Sequence, residues 1–275
     1  MSLLRPVPAC GVLIIGACGL MLSAVAGDTT APAPTAQDLA ARLNALRQDG
    51  SSFVRLRVEI KQPPGTLKAV LQLQIKSRRT AKNTDLVYHL IWPRERKGES
   101  VLLRKTGTRA PAASLFVPPD THRALTAAEM KQGLFGTNLS AEDVIENFFA
   151  WEHQTLAGTE VVDGVTCQIL ESRPGKGEWA SCARVRSWID LKRNVPLRVE
   201  KYLASGALGR RIDTTKVVKD DDGRHIPATL LVRRPGQDST CEFQGTRSTR
   251  GVAYTDSDFT PEGLKNLAAP RSAPE

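Results

Sequence analysis

The sequence predicts a mainly β protein, built from antiparallel strands with a few helices. Three observations carry this. From Phe53 onward apolar and polar residues alternate with period two through most of the chain, the pattern of strands with one dry and one wet face. Turn-forming clusters separate the runs, among them PPG at 63–65, VDG at 162–164, RPGKG at 173–177, KRN at 192–194, ASG at 204–206 and DDDG at 220–223, where Gly, Pro, Asn and Asp favour tight reversals. Two stretches alone break into the period of a helix, so the regular strand–helix alternation of a parallel sheet is missing.

Residues 1–26 read as a secretory signal peptide. Arg5 precedes an apolar run from Cys10 to Ala26, and AVA at 24–26 supplies the small residues that cleavage requires. An uncleaved signal anchor is one alternative. Lipidation at Cys18, within the lipobox-like IGAC, is another, although the mostly apolar residues after Cys18 make a poor tether. No later run approaches the ~18–20 apolar residues of a spanning helix. Residues 27–34 follow as a linker rich in Pro, Ala and Thr, and 268–275 are expected to form a disordered tail. One domain is expected over 35–267.

That domain opens with a helix. Thr35 is a suitable cap, Asp38 stands three residues on, and Gly50 is a stop signal. Leu39, Leu43 and Leu46 place one apolar stripe on it. Three strands follow, with Val54, Leu56, Val58 and Ile60 on one face of the first. Leu67, Ala69, Leu71, Leu73 and Ile75 share a face of the second, and Leu86, Tyr88, Leu90 and Trp92 a face of the third. Further strands are expected over 99–105, 113–117, 155–162, 165–172, 183–190, 195–203, 207–218, 224–233 and 239–247.

The strands pause between about residues 119 and 151. Ser140 can cap a helix over 140–149 and Asp143 can answer it, while Leu139 and Val144 occupy the positions of a hydrophobic staple. Val144, Ile145, Phe148 and Phe149 form a wide apolar arc there, with Trp151 beyond and Met130, Leu134 and Phe135 before. Strands with one apolar face need a covering layer, and only these helical regions can supply it. The segment therefore reads as a lid, free to shift at Gly133 and Gly136; a helix that plugs one end of a sheet sandwich is the plainer alternative.

No catalytic set is apparent. His89, His122, His153 and His225 lie in no metal-binding spacing, and His89 reads as a solvated strand residue. No G-x-S-x-G elbow exists. Asp220–Asp222 followed by Gly223 reads as a hairpin turn. The expected protein is not an enzyme and takes neither cofactor nor metal. The formal charge is +9, but Arg78, Arg79, the RERK run at 94–97, Arg210, Arg211, Arg233 and Arg234 are dispersed, and aromatics make up 5% of the chain. Stacking platforms for nucleic acid are thus lacking, and an anionic membrane face or acidic partner suits the charge better. Once Cys10 and Cys18 leave with the signal, Cys167, Cys182 and Cys241 remain. Cys167 and Cys182 flank an expected hairpin and are the easiest pair to join as a disulfide; burial as small apolar side chains is the alternative.

Five segments in order resemble the LolA-like outer-membrane lipoprotein-sorting proteins. They are FGTNLSAEDVIENF, LAGTEVVDGVTCQILES, RVRSWIDLKRNVPLRVEKYLASGAL, HIPATLLVRRPGQDSTCEF and DSDFTPEGLKNL. The resemblance covers about residues 120–267 by motif and 35–118 by pattern alone. Asn138 stands where many relatives carry Asp and Leu139 where many carry Phe, and the first half lacks a clear counterpart of the family's arginine-containing strand.

The resemblance implies an incomplete, half-open antiparallel β-barrel, covered by the N-terminal helix and the mid-chain lid. It further implies a monomeric periplasmic carrier or chaperone that binds lipoprotein acyl chains or other lipids for transfer toward the outer membrane. A docking or sensing module beside an RND-type transporter of the inner membrane is the second reading, and an exported hydrolase a distant third. The expected cavity and lid residues are Val54, Leu56, Val58, Leu71, Leu73, Leu90, Trp92, Met130, Phe135, Val144, Phe148 and Trp151.

Overall fold

The computed structural model describes residues 34–47 and 50–269. The signal peptide, the linker before Pro34, the Cys18 alternative and the tail from residue 270 lie outside the described residues. Helix α1 (Ala36–Arg47) leads into β1 (Ser51–Gln62), β2 (Thr66–Arg79), β3 (Asn83–Trp92), β4 (Ser100–Thr106), β5 (Ala112–Val117) and the short β6 (Thr121–Ala124). The mid-chain segment holds α2 (Ala127–Met130) and α3 (Ala141–Ile145). Strands β7 (His153–Val162), β8 (Val165–Arg173), β9 (Arg184–Asp190), β10 (Val195–Tyr202), β11 (Leu208–Lys219), β12 (His225–Arg233) and β13 (Thr240–Arg250) complete the fold.

All thirteen strands join one sheet in the order β6-β5-β4-β3-β2-β1-β13-β12-β11-β10-β9-β8-β7. Every neighbouring pair is antiparallel, including β1 with β13. The sheet does not close: β6 and β7 are its two edges, and the whole is a half-open barrel. This order explains the mid-chain helices. The chain starts at the centre, meanders to one edge, and must cross to the other edge before it meanders back. The crossing segment, residues 125–152, lies over the inner face.

Cross-strand pairs build that face. Leu56 stands opposite Leu73, Leu73 opposite Leu90, Val58 opposite Phe243 and Leu230 opposite Phe243, so the period-two pattern becomes a continuous apolar surface. Around it sit Val58, Ile60, Leu71, Leu90 and Val232, all buried. Helix α1 covers the far half, where Leu39 and Leu43 pack with Phe148, Phe149, Leu170 and Ile189. The Thr35 cap is present as read: its hydroxyl accepts from the Asp38 amide at 3.1 Å.

The outer face differs from the expectation of a wet surface. The C-terminal segment folds back over β3–β5, where Phe259 and Leu264 pack on Val87, Leu102 and Phe116. His89 is therefore fully buried rather than solvated, with Nδ1 2.8 Å from the Ser100 hydroxyl. Lys76 is buried in the same layer, and its ammonium donates to the Asn266 carbonyl at 3.2 Å and reaches Asp258 at 3.4 Å.

Two other expectations are corrected. The helix read over 140–149 stops at Ile145; Glu146 is extended, Asn147 is non-helical, and a 3-10 turn follows over Phe148–Ala150. Cys167 and Cys182 are free. The register of β8 on β9 sets Gln168 against Ile189 and Ser172 against Val185, so Cys167 lies toward one end of the hairpin and Cys182 beyond the other. Each is buried in a different core. The alternative reading, small buried apolar side chains, describes them.

Candidate functional site

Between the sheet and the crossing segment lies a cavity of about 710 Å³. Its walls are Val54 and Leu56 of β1, Leu73 and Ile75 of β2, Leu230 of β12 and Phe243 of β13. Leu134, Leu139 and Val144 roof it, and Tyr88 brings a phenol to one side. Charge gathers at its mouth, where the end of β11 and the turn after it contribute Lys219 and Asp220–Asp222 and the end of β13 contributes Arg247 and Arg250. The volume falls within the ~300–1,000 Å³ usual for small-molecule sites, which are likewise mainly apolar.

The roof is fixed by polar contacts of unusual burial. Asn138 donates through Nδ2 to the carbonyls of Ser239 at 2.7 Å and Val232 at 3.3 Å, which ties the loop before α3 to β12 and the start of β13. Ser140 and Asp143 form the capping box read from sequence. Gly133 and Gly136 each meet a local steric requirement in the roof. A Cβ on Gly133 would lie 1.6 Å from the Thr137 carbonyl oxygen, and Gly136 has φ +87°, where a side chain is strained.

Beneath α3 a buried ionic cluster locks the roof to the sheet. The Lys201 ammonium on β10 lies 2.7 Å from Glu146 and 3.1 Å from Asp143. Arg210 on β11 reaches Asp143 at 2.6 Å. Glu146 also accepts from the Ser181 amide at 2.6 Å and its hydroxyl at 2.8 Å. Burial pulls Lys201 toward neutrality, but Glu146 and Asp143 outweigh it and hold the amine above its ordinary range. Burial would likewise raise the Asp143 carboxyl; Lys201 and Arg210 hold it well below the usual carboxylate range. The capture of Glu146 by Lys201 of β10 and by Ser181 of the β8–β9 loop, with Asn147 bonded to Asn44 at 2.7 Å, is what ends the helix early.

The expected site residues divide into groups. Val54, Leu56, Leu73 and Val144 line the cavity. Val58, Leu71, Leu90 and Phe135 pack in the core beside it, and Met130 packs under the roof against the β3–β5 half. Phe148 and Trp151 are buried beneath α1 instead of facing the hollow. Trp92 is 49% exposed. A bulge between Gln72 and Leu73 pairs Trp92 with Gln72 while Leu90 pairs with Leu73, and one extra residue is enough to turn a side chain to the other face. Sequence reading missed Asn138 and Lys201 as anchors. Lys201 continues the buried parity of Val195, Leu197 and Val199, and that lysine on an apolar face was the available signal.

Among the described residues no three His, Cys, Asp or Glu side chains are grouped to hold a metal, and no helix is long and apolar enough to cross a membrane. An unclosed antiparallel sheet with a roofed apolar hollow defines a half-barrel protein. A family model described as "-like: Uncharacterized protein" matches residues 82–266, well over half of the sequence, and the chain belongs to that family.

Solved structures share the fold. A DUF1329 family protein from Desulfovibrio piger superposes with a TM-score of 0.75 at 21% identity, over 83% of this chain and 97% of that one. A putative outer membrane lipoprotein-sorting protein domain from Vibrio parahaemolyticus gives 0.71 at 18% identity, over 82% and 97%. A LolA superfamily protein from Nitrosomonas europaea gives 0.67 at 18% identity, over 84% and 100%. No curated protein matches the sequence.

Proposed function

We propose that this protein is a periplasmic carrier that encloses an acyl chain of a lipid or lipoprotein for transfer toward the outer membrane. The observation that carries the reading is the roofed, apolar-walled cavity of about 710 Å³. An acyl chain is held by area alone, at ~0.8 kcal/mol for each buried CH₂, so walls of Leu, Val, Ile and Phe suffice and no reaction centre is required. The Vibrio neighbour's description as a lipoprotein-sorting domain supports the same reading. The signal peptide expected over 1–26 would deliver the chain to that compartment.

Native mass spectrometry of the protein purified from its own cell envelope tests this. The expected spectrum contains a species heavier than the bare chain by a lipid-sized mass, removed by organic extraction and restored by added lipid. A bare chain that stays bare in the presence of lipid contradicts the proposal.

A further inference from the structure

We infer that an anion-binding subsite made by Arg47, Arg79 and the Tyr88 hydroxyl adjoins the cavity where Tyr88 lines it, and that its ligand is an acidic amphiphile with a carboxylate or phosphate head. The inference deepens the carrier reading and rests on it.

Strand register places the residues. Ile75 and Tyr88 are cross-strand partners and both line the hollow. Ser77 and Arg79 follow on the same face of β2, since alternate residues share a face. Ser77 has its hydroxyl 2.7 Å from that of Ser52, so the inner face turns polar in this direction. Arg47 ends α1 over the same region: it donates to the Val144 carbonyl at 3.4 Å and stands 5.6 Å from the Phe148 ring centre. Val144 is a roof residue of the cavity.

The charge here is unbalanced. Both arginines are half-buried. Elsewhere in the sheet such arginines have carboxylates, as Arg78 has Asp85, Arg198 has Asp213 and Arg210 has Asp143. Among the described residues Arg47 and Arg79 have no ion-pair partner, and neither the Arg79 guanidinium nor the Tyr88 hydroxyl has a hydrogen bond. Among the described residues the one carboxylate that acts on Arg47 is Glu146, already held by Lys201 and Ser181. Burial pushes the Arg47 guanidinium down, and the charge of Arg79 adds to this; burial pushes Arg79 down as well. An arginine nevertheless keeps its proton in a protein. The cost of two half-buried cations without an ion-pair partner among the described residues therefore stands until an anion joins them. Two guanidinium forks and a phenol are the donors that planar carboxylates and phosphates take, and the apolar walls beside them suit the attached chain.

The test compares a fluorescent long-chain fatty acid with the alcohol of the same chain, titrated into the full protein. The wild type is expected to hold the acid more tightly by about tenfold or more. Arg79→Gln, and independently Arg47→Gln, should bring the acid to the affinity of the alcohol and leave alcohol binding unchanged. The Arg79→Gln melting temperature should hold or rise, because an unpaired charge is removed. Equal affinities in the wild type, or a variant that loses both probes alike, overturn the subsite while the carrier reading stands. Displacement of the acid by inorganic phosphate alone marks a site for free anions and overturns the amphiphile. A wild type that binds neither probe contradicts the carrier reading itself.

Discussion

At the scale of residues, His89 shows how burial converts into pH dependence. Burial, and then the charge of Lys76, push its imidazole down to about 3. The unfolded chain takes up a proton near pH ~6.5, whereas the folded chain stays neutral until far lower pH. Stability from this group is therefore complete above the unfolded value and is lost as pH falls toward the folded one, by up to ~1.4 kcal/mol per pH unit. Urea unfolding between about pH 6.5 and pH 5.5, where carboxylates stay mostly ionised, reads that slope. His89→Gln should remove most of it, and a variant that keeps the wild-type slope contradicts the assignment. The burial of His89 was not legible locally. Tyr88, His89 and Leu90 alternate like a half-wet strand, and the cover that dries the outer face comes from Phe259 and Leu264, far along the chain. Trp92 was misplaced for a related reason, because a bulge leaves no mark in the apolar pattern.

At the scale of elements, the crossing segment behaves as a fastened roof. Its start was legible because capping is local: Ser140 and Asp143 are three residues apart and bond as read. Its end was not, because the groups that stop α3 after Ile145 are Ser181, Lys201 and Asn44 on other elements. Lys201→Met should cost roughly 3–5 kcal/mol, the usual effect of leaving buried carboxylates without their partner. Hydrogen exchange should then quicken over residues 134–151 more than in the strands. Unchanged exchange there, with stability near wild type, contradicts the role of Lys201 in holding the roof. Asn138 acts from the opposite side of the same loop, so the roof is tied both to β10–β11 and to β12–β13.

At the scale of the whole molecule, most strands were legible because one apolar face repeats every second residue. The exception is β6, whose Thr-His-Arg-Ala sequence is exposed throughout and carries no such pattern. The half-barrel itself was reached through the motifs of the second half, since alternation alone does not say whether a sheet closes. The sheet order supplies the reason for a cavity: the chain must cross from β6 to β7 over the inner face, and the small side chains of β13 keep the space below partly empty. Gly245 pairs with Leu56 and lines the hollow. A Cβ at this position would meet nothing closer than the Ala228 carbonyl at 3.5 Å, so a side chain can start here beside the hollow that Gly245 lines.

Titration of a fluorescent long-chain acyl probe into wild type and Gly245→Phe tests the guest-holding hollow most directly. The wild type should bind with saturable stoichiometry, and the variant should melt at a similar temperature yet bind the probe at least about tenfold more weakly. A folded variant that binds the probe as the wild type does would contradict the cavity as the carrier site.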